Sequence, residues 1–286
     1  MHIRTGYTLS FLTYGPTPMN LLLSVRPERR GDLRSSDAIA VTPSVPMTQH
    51  VDAFGNTVTR LVAPGGPLTL SADFLIEDSG LPDDFEPGAQ QVAPEHLPNE
   101  VLPFLLGSRY CDTDKLSQIA WNLFGGTLEG WSRVQAIVDF VHQRLRFDYQ
   151  LADATRSASE GYWQQVGVCR DFAHLAIALC RCMNIPARYA TGYLGDIGVP
   201  KDPAPMDFSA WFEVYLQGPQ GGRWYTFDAR HNKRRIGRIV MARGRDATDC
   251  ALTTSFGTAI LTRFEVHTDE VIGGFANDAG RTAIAA

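Results

Sequence analysis

Residues 167–186 constrain the fold more than any other stretch. Gly167-Val168 leads into Cys169-Arg170-Asp171-Phe172-Ala173-His174. Phe172, Leu175, Ala176, Leu179 and Met183 then recur at helical spacing until Asn184 and Pro186 stop the pattern. The spacing predicts a helix with a thiol at its first position. The backbone N–H groups at such an end lack intrahelical partners, and the helix dipole is positive there. Both favour thiolate over thiol, so Cys169 reads as a nucleophile.

The segments after this helix read as strands, at about 187–194, 209–217 and 222–229. A late β pair at about 248–268 is expected to close the same sheet. Before the helix, Trp131, Val134, Val138, Val141 and Leu145 form one apolar stripe of a second helix. Residues 1 to about 79 have a different character. Leu68, Leu70, Ala72, Phe74 and Ile76 alternate with polar residues, the period of a half-buried strand. Gly55-Asn56 between strand-like flanks signals a hairpin. Prolines at 16, 18, 27, 43, 46, 64 and 67 exclude long helices. The expected organisation is a β-sandwich over residues 1–80, a proline-rich linker or wrapping segment over 81–99, and a mixed core over 100–272. A Gly/Ala-rich tail over 273–286 is expected to be frayed.

The function classes that composition disfavours follow from charge and cysteine usage. A net charge of −5 lacks the basic stripe of a nucleic-acid binder. Lys233-Arg234-Arg235 with Arg238 reads as a solvated loop rather than a phosphate site. Five irregularly spaced cysteines do not form a disulfide framework. No apolar run approaches the length of a membrane span, and the N-terminus does not read as a signal peptide. A cytoplasmic protein with no membrane partner is the expectation. His-Glu-x-x-His, paired C-x-x-C, phosphate-binding glycine loops and clustered acidic calcium loops are all missing, so no metal or other cofactor is expected.

A thiol nucleophile needs a base, and the base needs an orienting group. Asp228, ending the strand Trp224-Tyr225-Thr226-Phe227-Asp228, fits the orienter. The base should come from the preceding strand, Met206-Asp207-Phe208-Ser209-Ala210-Trp211-Phe212-Glu213-Val214-Tyr215. The Cys169 block, Ile185-Pro186-Ala187-Arg188-Tyr189-Ala190-Thr191-Gly192-Tyr193, Ala210-Trp211-Phe212-Glu213-Val214-Tyr215 and the Asp228 block resemble the transglutaminase-like core in order and spacing. Residues 1 to about 80 resemble the β-rich domain that precedes this core in bacterial members. The resemblance implies an α+β fold: an N-terminal β-sandwich, then a papain-like core with helices packed on an antiparallel sheet. It also implies a Cys–His–Asp site, in which Cys169 and Asp228 carry over. The family's histidine stands two residues before the tryptophan, where this chain has Ser209. A serine hydroxyl is no base near neutral pH.

His231, three residues past Asp228, is the substitute if a turn folds its ring back toward the site. The alternative is an exposed loop histidine. His174 lies roughly 140° around the helix from the thiol and should point elsewhere. His142 reads as structural. Asp171 is expected to brace a neighbouring loop. The Cys169 N–H is the default oxyanion donor, with Trp163, Gln164 or Gln165 as sources of a second. Trp211 and Trp224 are read as core residues before tunnel residues.

Two functions remain open. One is an enzyme that attacks a peptide or glutamine-type amide through a Cys169 thioester, with hydrolysis favoured over crosslinking. The other is an impaired relative that binds a peptide or protein partner. A His-to-Ser inactivation would produce the same sequence.

Overall fold

The computed structural model describes residues 1–271, so the tail expected to fray lies outside the described residues. The chain opens with β1 (His2–Thr13), β2 (Thr17–Leu21), β3 (Ala40–Thr42), β4 (Met47–Val51), β5 (Thr57–Ala63) and β6 (Gly66–Glu77). β4 and β5 form the hairpin marked by Gly55-Asn56, and Gly55 takes φ +78° there. The mixed region holds α1 (Thr113–Phe124), α2 (Trp131–Arg144), β7 (Arg146–Phe147), α3 (Ala158–Gln164), β8 (Val166–Gly167) and α4 (Cys169–Cys182). After them come β9 (Ala187–Leu194), β10 (Ser209–Gly218), β11 (Gly221–Phe227), β12 (Arg238–Gly244), β13 (Thr253–Ser255) and β14 (Ala259–Glu270).

The core sheet has the order β11-β10-β9-β12 and is antiparallel throughout. Its fourth strand is β12, which has no clear period in the sequence. The late pair does not close this sheet. β14 pairs with β1 from Ile3↔Glu270 to Thr13↔Ala259, and β13 pairs with β2. The sandwich sheets are therefore β14-β1-β6-β3 and β13-β2-β5-β4. The reason is local. β1 is long, β6 covers only one of its edges, and the other would present unpaired backbone groups. The sandwich thus takes residues 253–270, which the sequence division had given to the core.

α4 is buried on nearly every side, not only on its predicted face. One side packs on β10 and β9; α1, α2 and α3 cover the rest. On the opposite face of the sheet, Tyr193, Ile239 and Met241 join the apolar interior of the sandwich. The sheet that carries the site is thus fixed from both sides. Arg181, on α4, is also buried. Its guanidinium donates to the carbonyls of Leu106, Ala187 and Arg245 and to Ser108, which ties α4 to the loops around it.

Residues 80–99 wrap the core sheet. Gln90 and Gln217 exchange backbone hydrogen bonds, and the Trp131 N–H donates to the Ala89 carbonyl. Asp83 accepts from the Arg235 backbone and from the Arg238 side chain. Arg235 and Arg238 are consequently buried. The expected solvated basic loop is reduced to Lys233 and Arg234, because acidic partners distant in sequence pull the other two inward.

Candidate active site

Cys169 is delivered to the start of α4 by a short chain of fixed turns. Ser157 caps α3: its hydroxyl accepts from the Glu160 N–H, and Glu160 accepts from the Ser157 N–H at 2.8 Å. Gln165 ends α3 in the left-handed region at φ 57°. β8 then runs parallel to β7 into Val168 and Cys169. Asp171 locks this entry by accepting from the Val168 N–H at 2.9 Å and from Arg156 at 3.0 Å, with Arg170 at 3.2 Å. That is the loop-bracing role expected of Asp171. Gly167 is required, since a Cβ there would stand 2.5 Å from the Asp171 Cβ. Removing the α3 cap by Ser157→Ala is expected to cost about 1 kcal/mol. Urea unfolding would measure it, and an unchanged midpoint would show that the cap carries no stability.

Cys169 opens on a cleft of about 720 Å³. Tyr110, Arg170, Thr191, Asp207, Ala210 and Phe264 are among the residues lining it. Phe264 belongs to β14, so the sandwich contributes a wall. No histidine is among the lining residues. Burial pushes the thiol up to about 11, in the direction opposite to the helix end. The Asp207 carboxylate pushes it in the same direction, while Arg230 and the Ala210 N–H oppose. Burial thus acts against the helix-end effect on this thiol.

Asp228 ends its strand fully buried. Its Oδ2 accepts from His231 Nδ1 at 2.9 Å and from Arg238 at 2.9 Å, and its Oδ1 accepts from the His231 backbone N–H. Burial alone would raise its carboxyl. Arg238 and His231 nevertheless hold it well below the usual carboxylate range. The turn after Asp228 has folded the His231 ring back, and His231 is not a free loop residue. The ring does not line the Cys169 cleft. It lines a neighbouring cavity with Tyr149, Asp196, Asp207, Ser209 and Arg230. Ser209, opposite Gly192 on β9, opens on this same cavity. Asp207 alone among these lines both spaces.

The other sequence candidates are elsewhere. His174 is buried between Tyr110 and Tyr189, and its Nε2 accepts from the Ala247 N–H. Burial lowers it to about 3, so it stays neutral. His142 lies on α2, with Nδ1 3.1 Å from the Ala229 carbonyl. Gln164 accepts from Arg156, and Trp163, Gln164 and Gln165 are not among the residues lining the cleft. Trp211 is buried under Arg238, and Trp224 is covered by Arg188. The residue that the sequence reading passed over is Asp207. It stands two residues before Ser209, in the loop that leads into β10, where no strand period assigns its side chain a direction.

A thiol at a helix N-terminus, packed on an antiparallel sheet that ends in a buried aspartate, is the papain-like layout of α and β elements. A sequence model of the transglutaminase-like superfamily matches residues 117–229. The whole chain is similar to a protein of Cytophaga hutchinsonii, described from its crystal structure as a candidate cysteine protease. The TM-score is 0.79 at 30% identity, over 96% of this chain and 92% of that one. An uncharacterised Mycobacterium leprae protein is 24% identical over 239 residues, covering 78% of this chain and 81% of its own. One from Mycobacterium tuberculosis is 27% identical over 221 residues, covering 69% and 68%. The chain belongs to the transglutaminase-like superfamily.

Proposed function

We propose that the protein is a thiol-dependent acyl-transfer enzyme acting on peptide or glutamine-type amides, with water as the favoured acceptor. The observation that carries this reading is the Asp228–His231 pair. With Nδ1 donating to a buried carboxylate, the imidazole is held in one tautomer, its Nε2 is left to accept a proton, and the imidazolium that results is stabilised. In this scheme Cys169 attacks the amide carbonyl and forms a thioester. The leaving amine takes up the proton that the thiol lost. Water then cleaves the thioester. Burial raises the resting thiol, so the scheme calls for a base that takes its proton as it attacks.

The test compares wild type with Cys169→Ala and His231→Ala on peptide amides. Cys169→Ala should abolish turnover, and His231→Ala should lower it by about 10²–10⁴-fold. Turnover that survives Cys169→Ala would end this reading. A second reading is a peptide-binding relative with little turnover, favoured by the cleft's lack of an imidazole. Peptide binding without acylation would select it.

A further inference from the structure

We propose that Asp207 is the group that takes the proton from Cys169 and passes it to His231. The inference rests on the thiol-enzyme reading above. It starts from a gap: the nucleophile and the braced imidazole face different spaces, and Ser209, where the family pattern has its histidine, opens only on the His231 side. Asp207 lines both spaces. It is also the charge that acts most strongly on the Cys169 sulfur.

The other ionisable groups do not fill the gap. On the cleft side these are Arg109, Tyr110, Asp153, Arg170, Tyr189 and Cys250. Arginines cannot accept a proton, the Tyr110 hydroxyl donates to the Ala154 carbonyl, and burial pushes Tyr189 and Cys250, and Tyr149 on the far side, further from ionisation. Asp153 is occupied by the backbone and side chain of Thr155. On the far side stand Tyr149, Asp196, Asp202, Arg230, His231 and Arg235. Asp196 accepts from the Asp202 N–H and from Arg235, and Asp202 accepts from the Ala204 N–H. Among the described residues, no hydrogen bond from another side chain occupies Asp207. Burial raises its carboxyl, against Arg230 and the Phe208 N–H, which suits a group that must hold a proton briefly.

The proton follows one route. The Cys169 S–H proton goes to the Asp207 carboxylate as the sulfur forms its bond to the carbonyl carbon. Asp207 hands that proton to His231 Nε2. When the tetrahedral intermediate collapses, the C–N bond breaks and the leaving nitrogen receives the proton back along the same path. In deacylation, water gives its proton to Asp207, the C–S bond breaks, and the proton returns to the sulfur.

Asp207→Asn separates this role from a purely electrostatic one. Removing the charge should shift the Cys169 alkylation profile with iodoacetamide to lower pH in either case. A proton carrier predicts that amide turnover falls by about 10²–10⁴-fold even though the thiol is more reactive. Asp207→Glu should restore part of it. Turnover that is unchanged or higher in Asp207→Asn overturns the assignment. If the wild type shows no Cys169-dependent turnover, the enzyme reading falls and this inference falls with it. If wild type turns over and only the Asp207 variants behave like it, this inference alone is wrong.

Discussion

Asp228→Ala is expected to lower the unfolding free energy by about 3–5 kcal/mol, because it strands a buried arginine. Arg238 sits at the centre of this expectation. Its guanidinium is divided between Asp83 at 3.0 Å and Asp228 at 2.9 Å, and it lies over the Trp211 ring. Without Asp228 one side of that charge loses its partner while remaining out of water. The same change releases His231, so thiol-dependent turnover should fall to the level of His231→Ala. The pH dependence has a definite sign. The folded carboxyl lies below its unfolded value of about 3.9, so its contribution is complete above that pH. It is lost as pH falls further, toward the folded value. Wild type should therefore lose stability steeply below about pH 4 in urea titrations. Asp228→Ala should show a shallower fall. A loss under about 1 kcal/mol at neutral pH would mean that Asp83 alone satisfies Arg238.

Ser209→His should make Cys169 far more reactive. An imidazole reaches well beyond the serine hydroxyl, into the space that Asp207 links to the thiol. A cation forming there would offset the Asp207 charge and stabilise the thiolate. A midpoint of alkylation about two pH units lower corresponds to roughly 100-fold more thiolate at neutral pH. The new ring would share this cavity with His231. The gain should accordingly be larger when His231→Asn is added. Iodoacetamide rates across pH, with Cys169→Ala as the control, make the measurement. A midpoint that does not move would show that position 209 does not communicate with the sulfur.

The four sequence blocks defined the core because each is a local pattern. The α4 stripe, its Asn184-Pro186 stop and the strands around Trp211 and Trp224 all specify their own conformation. Pairing across long separations is another matter. Nothing within β14 indicates that its partner is β1 rather than the core sheet, since both would accept an alternating strand. The burial of Arg235 and Arg238 depends on Asp83 and Asp228, which are remote or of unstated orientation in one dimension. The thiol shows the same limit. The helix end argued for a thiolate, but the helix-end effect is local whereas burial is a property of the whole packing around Cys169. Asp207 was visible as a residue and invisible as a neighbour of two cavities.

The pairing of β1 with β14 also joins the first strand made to one made near the end of synthesis. The first strand made must wait for a partner that begins roughly 180 residues after β6 ends. At ribosomal rates of about 5–20 residues per second that is a delay of roughly 10–40 s. During it, β1 presents an unsatisfied edge. The core, whose strands β9 to β12 are contiguous in the chain, can assemble before the sandwich that precedes it. A nascent chain arrested before residue 259 would therefore hold the Cys169 helix against its sheet while its oldest residues remained open to pairing with another chain.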